Sequence, residues 1–370
     1  MVRELLEILE RIHALHDEGQ SAALATVIAT SGSTYRRPGA RLLITADDAL
    51  GSVSAGCLED EITARARGVI EAEAPQLMTF DTREEMDKIA GTGLGCRGTV
   101  DVFIEPLAPD GVNLTVYRRL LEAMCDERPC QFGLVAESNV PNLPVGRSIL
   151  RVDGSHVEDE LFGSGWEANL NSLLADGPTA TGTLELADGT VHIYAEAIEP
   201  PPRLIVFGAG FDAIPLARLA DQMGFRVTVV DPRESYLTTD RFPTADALVA
   251  LHAEDVDKTL TLDERTHAVV MTHNYVHDLE ILKRVLPSDV SYVGQMGPRD
   301  RTDELIADLE ESIGLLSDEV LGKLHGPIGL DVGAETPEEI AMSIVSEILA
   351  VHRGREAGFL RERHAPIHKR

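Results

Sequence analysis

Arg203-Leu-Ile-Val-Phe-Gly-Ala-Gly-Phe-Asp-Ala-Ile-Pro-Leu-Ala217 decides the fold. Leu204 to Phe207 is a short apolar run ending in glycine, the pattern of a strand buried on both faces. Gly208-Ala-Gly210-Phe-Asp-Ala213 then fits the spacing G-x-G-x-x-G/A. Gly208 permits a tight turn, Gly210 lets a ligand approach the backbone, and Ala213 lets helix and strand pack closely. A helix follows, with Ile214, Ala217, Ala220 and Met223 on one face, Pro215 in the first turn and Gly224 closing it. Asp212 is placed to cap this helix, a carboxylate standing where a pyrophosphate would need bare N–H groups. Phe225 to Val230 is a second strand. It ends at Asp231, about twenty residues past the glycines, where dinucleotide folds carry a ribose-binding carboxylate. The same signs fit a Rossmann unit whose glycines serve packing alone.

The alternation continues downstream. Ala247 to Leu251, His267 to Thr272 and Val290 to Val293 read as strands. Asp278 caps a helix through Val285, and residues 301 to 313 form another. The fold class is therefore α/β, a doubly wound parallel sheet that binds ligands at the carboxyl ends of its strands. Those ends carry Gly208, Asp231, His273-Asn274 and Gly294-Gln295-Met296-Gly297. His273 and His277 have the i, i+4 spacing of a metal pair, but no Glu stands beside His273, and it reads instead as a polar ligand contact. A glycine-rich loop, His325-Gly-Pro-Ile-Gly329-Leu-Asp-Val-Gly, could close over the sheet. Thr336, Pro337 and Glu339 then form a capping box that opens a helix with Ile340, Ile344, Ile348 and Leu349.

Upstream, Leu5, Leu6, Leu9, Ile12 and Leu15 recur at helical spacing over residues 2 to 17. Ala22 to Ala29 is a strand, followed by a hydroxyl-rich loop holding Arg36 and Arg37. Strands at Ala40 to Thr45 and Leu50 to Ser54 lead into Ser52-Val-Ser-Ala-Gly56-Cys57-Leu-Glu-Asp-Glu. The helix that begins there places Cys57 at its N-terminus, where the dipole favours thiolate. A second glycine cluster, Gly91-Thr-Gly93-Leu-Gly95-Cys96-Arg97-Gly98, precedes the strand Thr99 to Ile104 and offers backbone N–H groups to an anionic or conjugated ligand. Residues 114 to 128 form a helix. Strands follow at Gln131 to Ala136, Ser148 to Val152, Gly182 to Glu185 and Val191 to Ala197. Pro200-Pro201-Pro202 is a stiff linker. The expected domains are an N-terminal α+β domain over 1–199, a Rossmann-like domain over 203–353 and a polar tail over 354–370.

With 370 residues and 44% hydrophobic content but no long apolar run, the chain has no membrane-span pattern, and its acidic, amphipathic start has no signal-peptide pattern. A cytoplasmic location is expected. The net charge is -29, and lysine appears only at Lys88, Lys258, Lys283, Lys323 and Lys369. Acids scattered in this way point to adaptation to high salt and argue against nucleic acid, which needs clustered Lys and Arg. The four cysteines, Cys57, Cys96, Cys125 and Cys130, contain no CxxC pair. Cys57 is read as functional, Cys125 and Cys130 as structural.

Gly32-Ser33, Arg36-Arg37-Pro-Gly-Ala-Arg41 and Gly51-Ser-Val-Ser-Ala-Gly-Cys57-Leu-Glu59 resemble the N-terminal motif of the XdhC/CoxI family. Phe207-Gly-Ala-Gly-Phe-Asp-Ala, Val229-Val-Asp-Pro-Arg233, Thr272-His273, Tyr292-Val-Gly and Pro327-Ile-Gly-Leu-Asp-Val-Gly-Ala-Glu-Thr-Pro-Glu-Glu-Ile resemble its C-terminal Rossmann domain. Ala55 and Phe211 depart from the usual glycine and the common histidine. The resemblance implies an accessory protein that binds the molybdenum cofactor (molybdopterin) and assists its sulfuration and insertion into an apo molybdenum hydroxylase of the xanthine dehydrogenase type. It also implies docking on that enzyme or on a cysteine desulfurase. The implied cofactor contacts are Arg36, Arg37, Gly56, Cys57, Gly93, Gly95, Cys96, Gly208, Gly210, Asp231, His273, Gly294 and Gly329, with Cys57 as the metal ligand. A homodimer is compatible with this reading. The alternatives are an NAD(P)-dependent oxidoreductase that uses Asp231, or Arg233 for a 2′-phosphate, and an interaction protein whose Rossmann unit is empty.

Overall fold

The computed structural model describes residues 2–81, 97–109, 111, 113–153, 155–157 and 166–364. Its contacts divide the chain into Met1–Pro200 and Pro201–Arg370, with the division inside the triple proline.

In the first unit the elements are α1 (Val2–Asp17), β1 (Ala22–Ser33), β2 (Arg41–Ile44), β3 (Ala49–Gly51), α2 (Glu59–Ala72), β4 (Gln76–Asp81), β5 (Arg97–Leu107), α3 (Leu114–Cys125), β6 (Cys130–Ser138), β7 (Ser148–Val152), β8 (Ser155–Val157), α4 (Trp166–Leu173), β9 (Thr179–Leu186) and β10 (Gly189–Ile198). They build two antiparallel sheets among the described residues, ordered β3-β2-β1-β5-β4 and β8-β7-β6-β10-β9. Period-two alternation sorts each strand between two cores. From β1, Leu24 and Ile28 join α1, α3 and the inner face of the second sheet, where Phe132, Leu134 and Tyr194 lie. Ala23, Ala25 and Val27 face the other way, onto Ile62 and Ala66 of α2. The far face of the second sheet packs Val135, Ile149 and Ile193 on Trp166 and Leu170 of α4.

This shared core contains charge. Arg41 is buried and donates to Glu196 at 2.5 Å. Glu105 is also buried and accepts from Asn113 Nδ2 at 2.9 Å and from the Tyr117 hydroxyl. Burial pushes the Glu105 carboxyl up to about 7, against the pull of those two hydrogen bonds. One difference from the sequence reading concerns β1, which continues to Ser33 through a stretch expected to be loop. Its end pairs Ser31 with Thr99 and Gly32 with Gly98, so backbone hydrogen bonding carries the strand past its apolar pattern.

The second unit comprises β11 (Arg203–Phe207), α5 (Ala213–Gln222), β12 (Arg226–Asp231), β13 (Ala247–Ala250), β14 (Thr266–Val270), α6 (Tyr275–Val285), β15 (Tyr292–Gln295), α7 (Arg299–Ile313), β16 (Leu324–His325) and α8 (Pro337–His352). The strands are parallel, in the order β13-β12-β11-β14-β15-β16. Leu216, Ala217 and Ala220 of α5 and Ile344, Val345 and Ile348 of α8 cover one face. Ile281, Leu282 and Val285 of α6 and Leu305 and Leu309 of α7 cover the other. The expected doubly wound α/β sheet is thus present, with its switch point between β11 and β14.

Two capping expectations are corrected. Asp212 occupies the N-cap position of α5 but makes no capping hydrogen bond. Asn274 caps α6 by accepting from the His277 N–H at 3.2 Å. Asp278 instead lies buried in the first turn of α6. It accepts from the Thr272 hydroxyl at 2.5 Å, Gln295 Nε2 at 3.1 Å and Arg301 Nη2 at 2.6 Å. A carboxylate wholly out of water needs such partners, and it has recruited two of them from β15 and α7.

Candidate functional site

The carboxyl crest of the parallel sheet brings together the ends of β11, β12 and β14. Gly208 has φ +112°, and an added Cβ would lie 2.5 Å from the Met271 carbonyl oxygen, so only glycine fits between β11 and β14. Its N–H already donates to the Val230 carbonyl at 2.8 Å. Asp231 is buried and fully engaged. Oδ1 accepts from the N–H and Nε of Arg233 at 2.9 and 2.8 Å, and Oδ2 accepts from the Ala209 N–H at 2.8 Å and Arg233 Nη2 at 2.7 Å. Burial raises its pKa, but the hydrogen bonds from Arg233 and Ala209 outweigh burial and hold it below the usual carboxylate range. An ionised carboxylate offers about four lone-pair positions, and four donors occupy them, which leaves none for a ribose diol. The Arg233 guanidinium stacks on Tyr236 at 4.0 Å, and Arg241 lies over the same ring at 4.9 Å while donating to the Gly210 carbonyl at 3.3 Å.

Beside this loop, His273 follows β14 in the left-handed region, at φ +58°. Its Nε2 donates to Asp212 Oδ2 at 2.8 Å. Phe211, at the tip of the glycine loop, is 73% exposed. A cavity of about 310 Å³ opens at the same crest, floored by Phe207, Val230, Val256 and Ile281 and rimmed by His252 and His277. The remaining crest glycines hold structure. Gly294 is buried in β15, where a Cβ would collide with Ile328. Gly329 has φ +102° and gives its N–H to Glu347 at 2.7 Å.

In the first unit, the loop before α2 is ordered around one hydroxyl. Ser54 Oγ accepts from the N–H groups of Gly56 at 3.2 Å, Cys57 at 3.1 Å and Leu58 at 3.1 Å, and donates to Glu59. The Glu59 carboxylate also accepts from Ser52 Oγ and the Ser54 N–H. Burial raises the Glu59 carboxyl, but the hydrogen bonds from Ser54 prevail and hold it low. Cys57 is a free, exposed thiol on this scaffold. It stands two residues ahead of the first helical residue, and Glu59, Asp60 and Glu61 fill the first turn of α2, offsetting the positive end of the helix. At Gly56, φ is +96° and an added Cβ would meet nothing within 4 Å among the described residues, which leave the backbone open to close approach. Arg36 is held by Glu4 at 2.5 Å, whereas Arg37 makes no ion pair among the described residues. Gly93, Gly95 and Cys96 lie outside the described residues. Cys125 is exposed at the end of α3, and Cys130 is buried, its thiol pushed up to about 11 by burial.

Sequence reasoning did not find the Asp212–His273 pair, the closure of Asp231 by Arg233, or the Ser54–Glu59 scaffold. The last two had local signals, an arginine two residues past the acid and a serine five residues before an acid at a helix start. Among the described residues no group of three or more His, Cys, Asp or Glu side chains is placed to hold a metal ion, and no helix is long and apolar enough to cross a membrane.

Two family models match the chain: XdhC and CoxI family over residues 15–81, and XdhC Rossmann domain over residues 204–348. The chain is 32% identical over 349 residues to a probable xanthine dehydrogenase subunit of Bacillus subtilis (strain 168), spanning 92% of this chain and 96% of that protein. It is 30% identical over 173 residues to an uncharacterized protein of Escherichia coli (strain K12), which covers 46% of this chain and 31% of that one. A crystal structure described as a xanthine dehydrogenase from Bacillus halodurans superposes with a TM-score of 0.78 at 27% identity, over 95% of this chain and 96% of that chain. With a near full-length relative and both halves matched, the chain belongs to the XdhC and CoxI family.

Proposed function

We propose that this chain is an accessory factor for a molybdenum hydroxylase of the xanthine dehydrogenase type, holding the molybdenum cofactor and assisting its sulfuration and insertion into the apo-enzyme. The observation that carries the reading is the Cys57 loop: an exposed thiol beside a bare glycine, on a backbone fixed by Ser54 and Glu59. The name of the Bacillus subtilis relative supports the partner class. Bound, the cofactor would supply a phosphate, a pterin edge and a soft metal centre. Cys57 suits the metal, because thiolate is a soft ligand. Arg37, without an ion pair among the described residues, suits the phosphate through paired N–H donors. Gly56 lets a ligand reach the backbone. In the second unit, and independently of that loop, Gly210 and His273 are proposed as polar ligand contacts on the sheet crest. A cysteine desulfurase as sulfur source, and pairing of two copies, belong to the same proposal.

Expression under molybdenum-replete conditions, followed by metal analysis and pterin fluorescence of the purified protein, tests it. Wild type retains metal and pterin together. Cys57→Ala loses the metal with an unchanged circular dichroism spectrum. Undiminished metal in that variant removes Cys57 from the site, and absence of both signals from the wild type removes the cofactor-holding role. The dinucleotide alternative lacks its ribose acceptor as long as Arg233 covers Asp231.

A further inference from the structure

Three features of the crest converge on His273. Its backbone is held in a conformation that non-glycine residues seldom adopt, just past the carboxyl end of a central strand. The turn that holds it is tied locally: the Asn274 N–H donates to Thr272 Oγ1 at 3.1 Å, and that hydroxyl donates to Asp278. Its ring is 59% exposed, yet Nε2 is fixed on Asp212. Asp212 in turn has given up capping its own helix to make this contact.

Gly210 completes the arrangement. A Cβ there would lie 2.6 Å from Asp212 Oδ1 and 4.0 Å from His273 Cδ2, so the second glycine of the motif makes room for the pair. In the tautomer that places the proton on Nε2, facing the carboxylate, Nδ1 carries the lone pair of the ring, and Nδ1 has no partner among the described residues.

We propose that Asp212 is a positioning residue that fixes His273 with Nδ1 outward as a hydrogen-bond acceptor, and that the crest takes a planar heterocycle donating an N–H to it. The inference rests on the crest being a ligand site, as proposed above, and names what it recognises. Phe211 offers the heterocycle an exposed aromatic face. The N–H groups of Gly210 and Phe211 have no acceptor among the described residues and suit an anionic substituent. Asp231, the ribose acceptor of dinucleotide folds, is closed by Arg233, which sets this ligand apart from a dinucleotide.

Isosteric variants separate a ligand-facing His273 from a merely structural one. Asn places its amide where Nδ1 stands and tolerates the left-handed backbone. Gln places its amide where Nε2 stands and keeps the contact to Asp212. The full-length protein is titrated with pterin-6-carboxylate, followed by quenching of the probe's own fluorescence. His273→Gln and Asp212→Ala each weaken binding about tenfold or more, and His273→Asn, which keeps an acceptor at the Nδ1 position but loses the contact to Asp212, falls no further than Asp212→Ala. In parallel, ring-nitrogen NMR shows the Nε2–H tautomer in the wild type and a mixture in Asp212→Ala. Wild-type affinity in His273→Gln, or no binding by the wild type, overturns the proposal. Metal retention is independent of the probe. Full retention in His273→Gln with lost probe binding leaves the dyad and removes the crest from cofactor holding; probe binding without any retained cofactor leaves the dyad and sinks the accessory role.

Discussion

Glu105→Gln should make the protein more stable at neutral and mildly alkaline pH and flatten its pH profile. Burial raises this carboxyl from 4.5 to about 7 in the folded chain. Between those values the folded state binds more protons than the unfolded state, so stability falls as pH rises through the window and the loss is complete above about 7. A shift of this size corresponds to roughly 3 kcal/mol. Glutamine cannot ionise, and it mimics the protonated acid. Its carbonyl accepts from Asn113, and its amide donates to the Tyr117 hydroxyl, which can turn toward Ser148. Ser148 lies against Tyr117 and holds its buried hydroxyl within reach of the Tyr117 hydroxyl. Urea unfolding of both proteins at fixed salt, at steps from about pH 4.5 to 8, isolates this group, because every other titration cancels in the difference. The variant should gain on wild type by about 2–3 kcal/mol across that range. A difference that stays constant with pH, or one that shrinks, refutes the buried-acid reasoning.

Removing salt should cost the protein its helical circular dichroism signal, because a net charge of -29 repels itself once unscreened; an unchanged spectrum in dilute buffer contradicts adaptation to high salt. Gly51→Ala places a Cβ against the Arg41 carbonyl and 2.9 Å from Ile8 Cδ1 at φ +95°, and should lower stability by about 2–4 kcal/mol in urea unfolding. Glu347→Ala strips the acceptor from the Tyr292 hydroxyl, His325 Nδ1 and the Gly329 N–H, and should cost about 3 kcal/mol, seen as a lowered Tm, with Glu347→Gln losing less. NAD(H) should leave the wild-type Tm unchanged, since Asp231 is closed by Arg233; a rise in Tm would restore the dinucleotide reading.

What the sequence revealed followed the range of the forces involved. Strands β11, β12 and β14 were legible because burial on both faces writes them as apolar runs. The Thr336 capping box was legible because its partners are three residues apart, and the structure closes both of its hydrogen bonds. Asp212 and His273 are sixty-one positions apart, and their pairing depends on two strand ends meeting at the switch point. Asp278 looked like a cap because it stands near a helix start, yet its three partners come from the turn after β14, from β15 and from α7. Gly294 looked like a ligand contact for its place at a strand end, and the packing of Ile328 against it, from a loop thirty-four positions on, was not legible. Cys57 was placed correctly before α2, but the three acids behind it work against the electrostatic argument that singled it out.

The order in which the second unit's strands are synthesised has a consequence for its assembly. β11 is its earliest strand and also a central one, hydrogen-bonded on one side to β12 and on the other to β14. During translation its first flank closes soon after synthesis, while the second waits for a segment about sixty residues downstream. For that interval the nascent chain carries an open, apolar strand edge at its centre, and chaperone capture or slow translation there would matter more than at any later point in the unit.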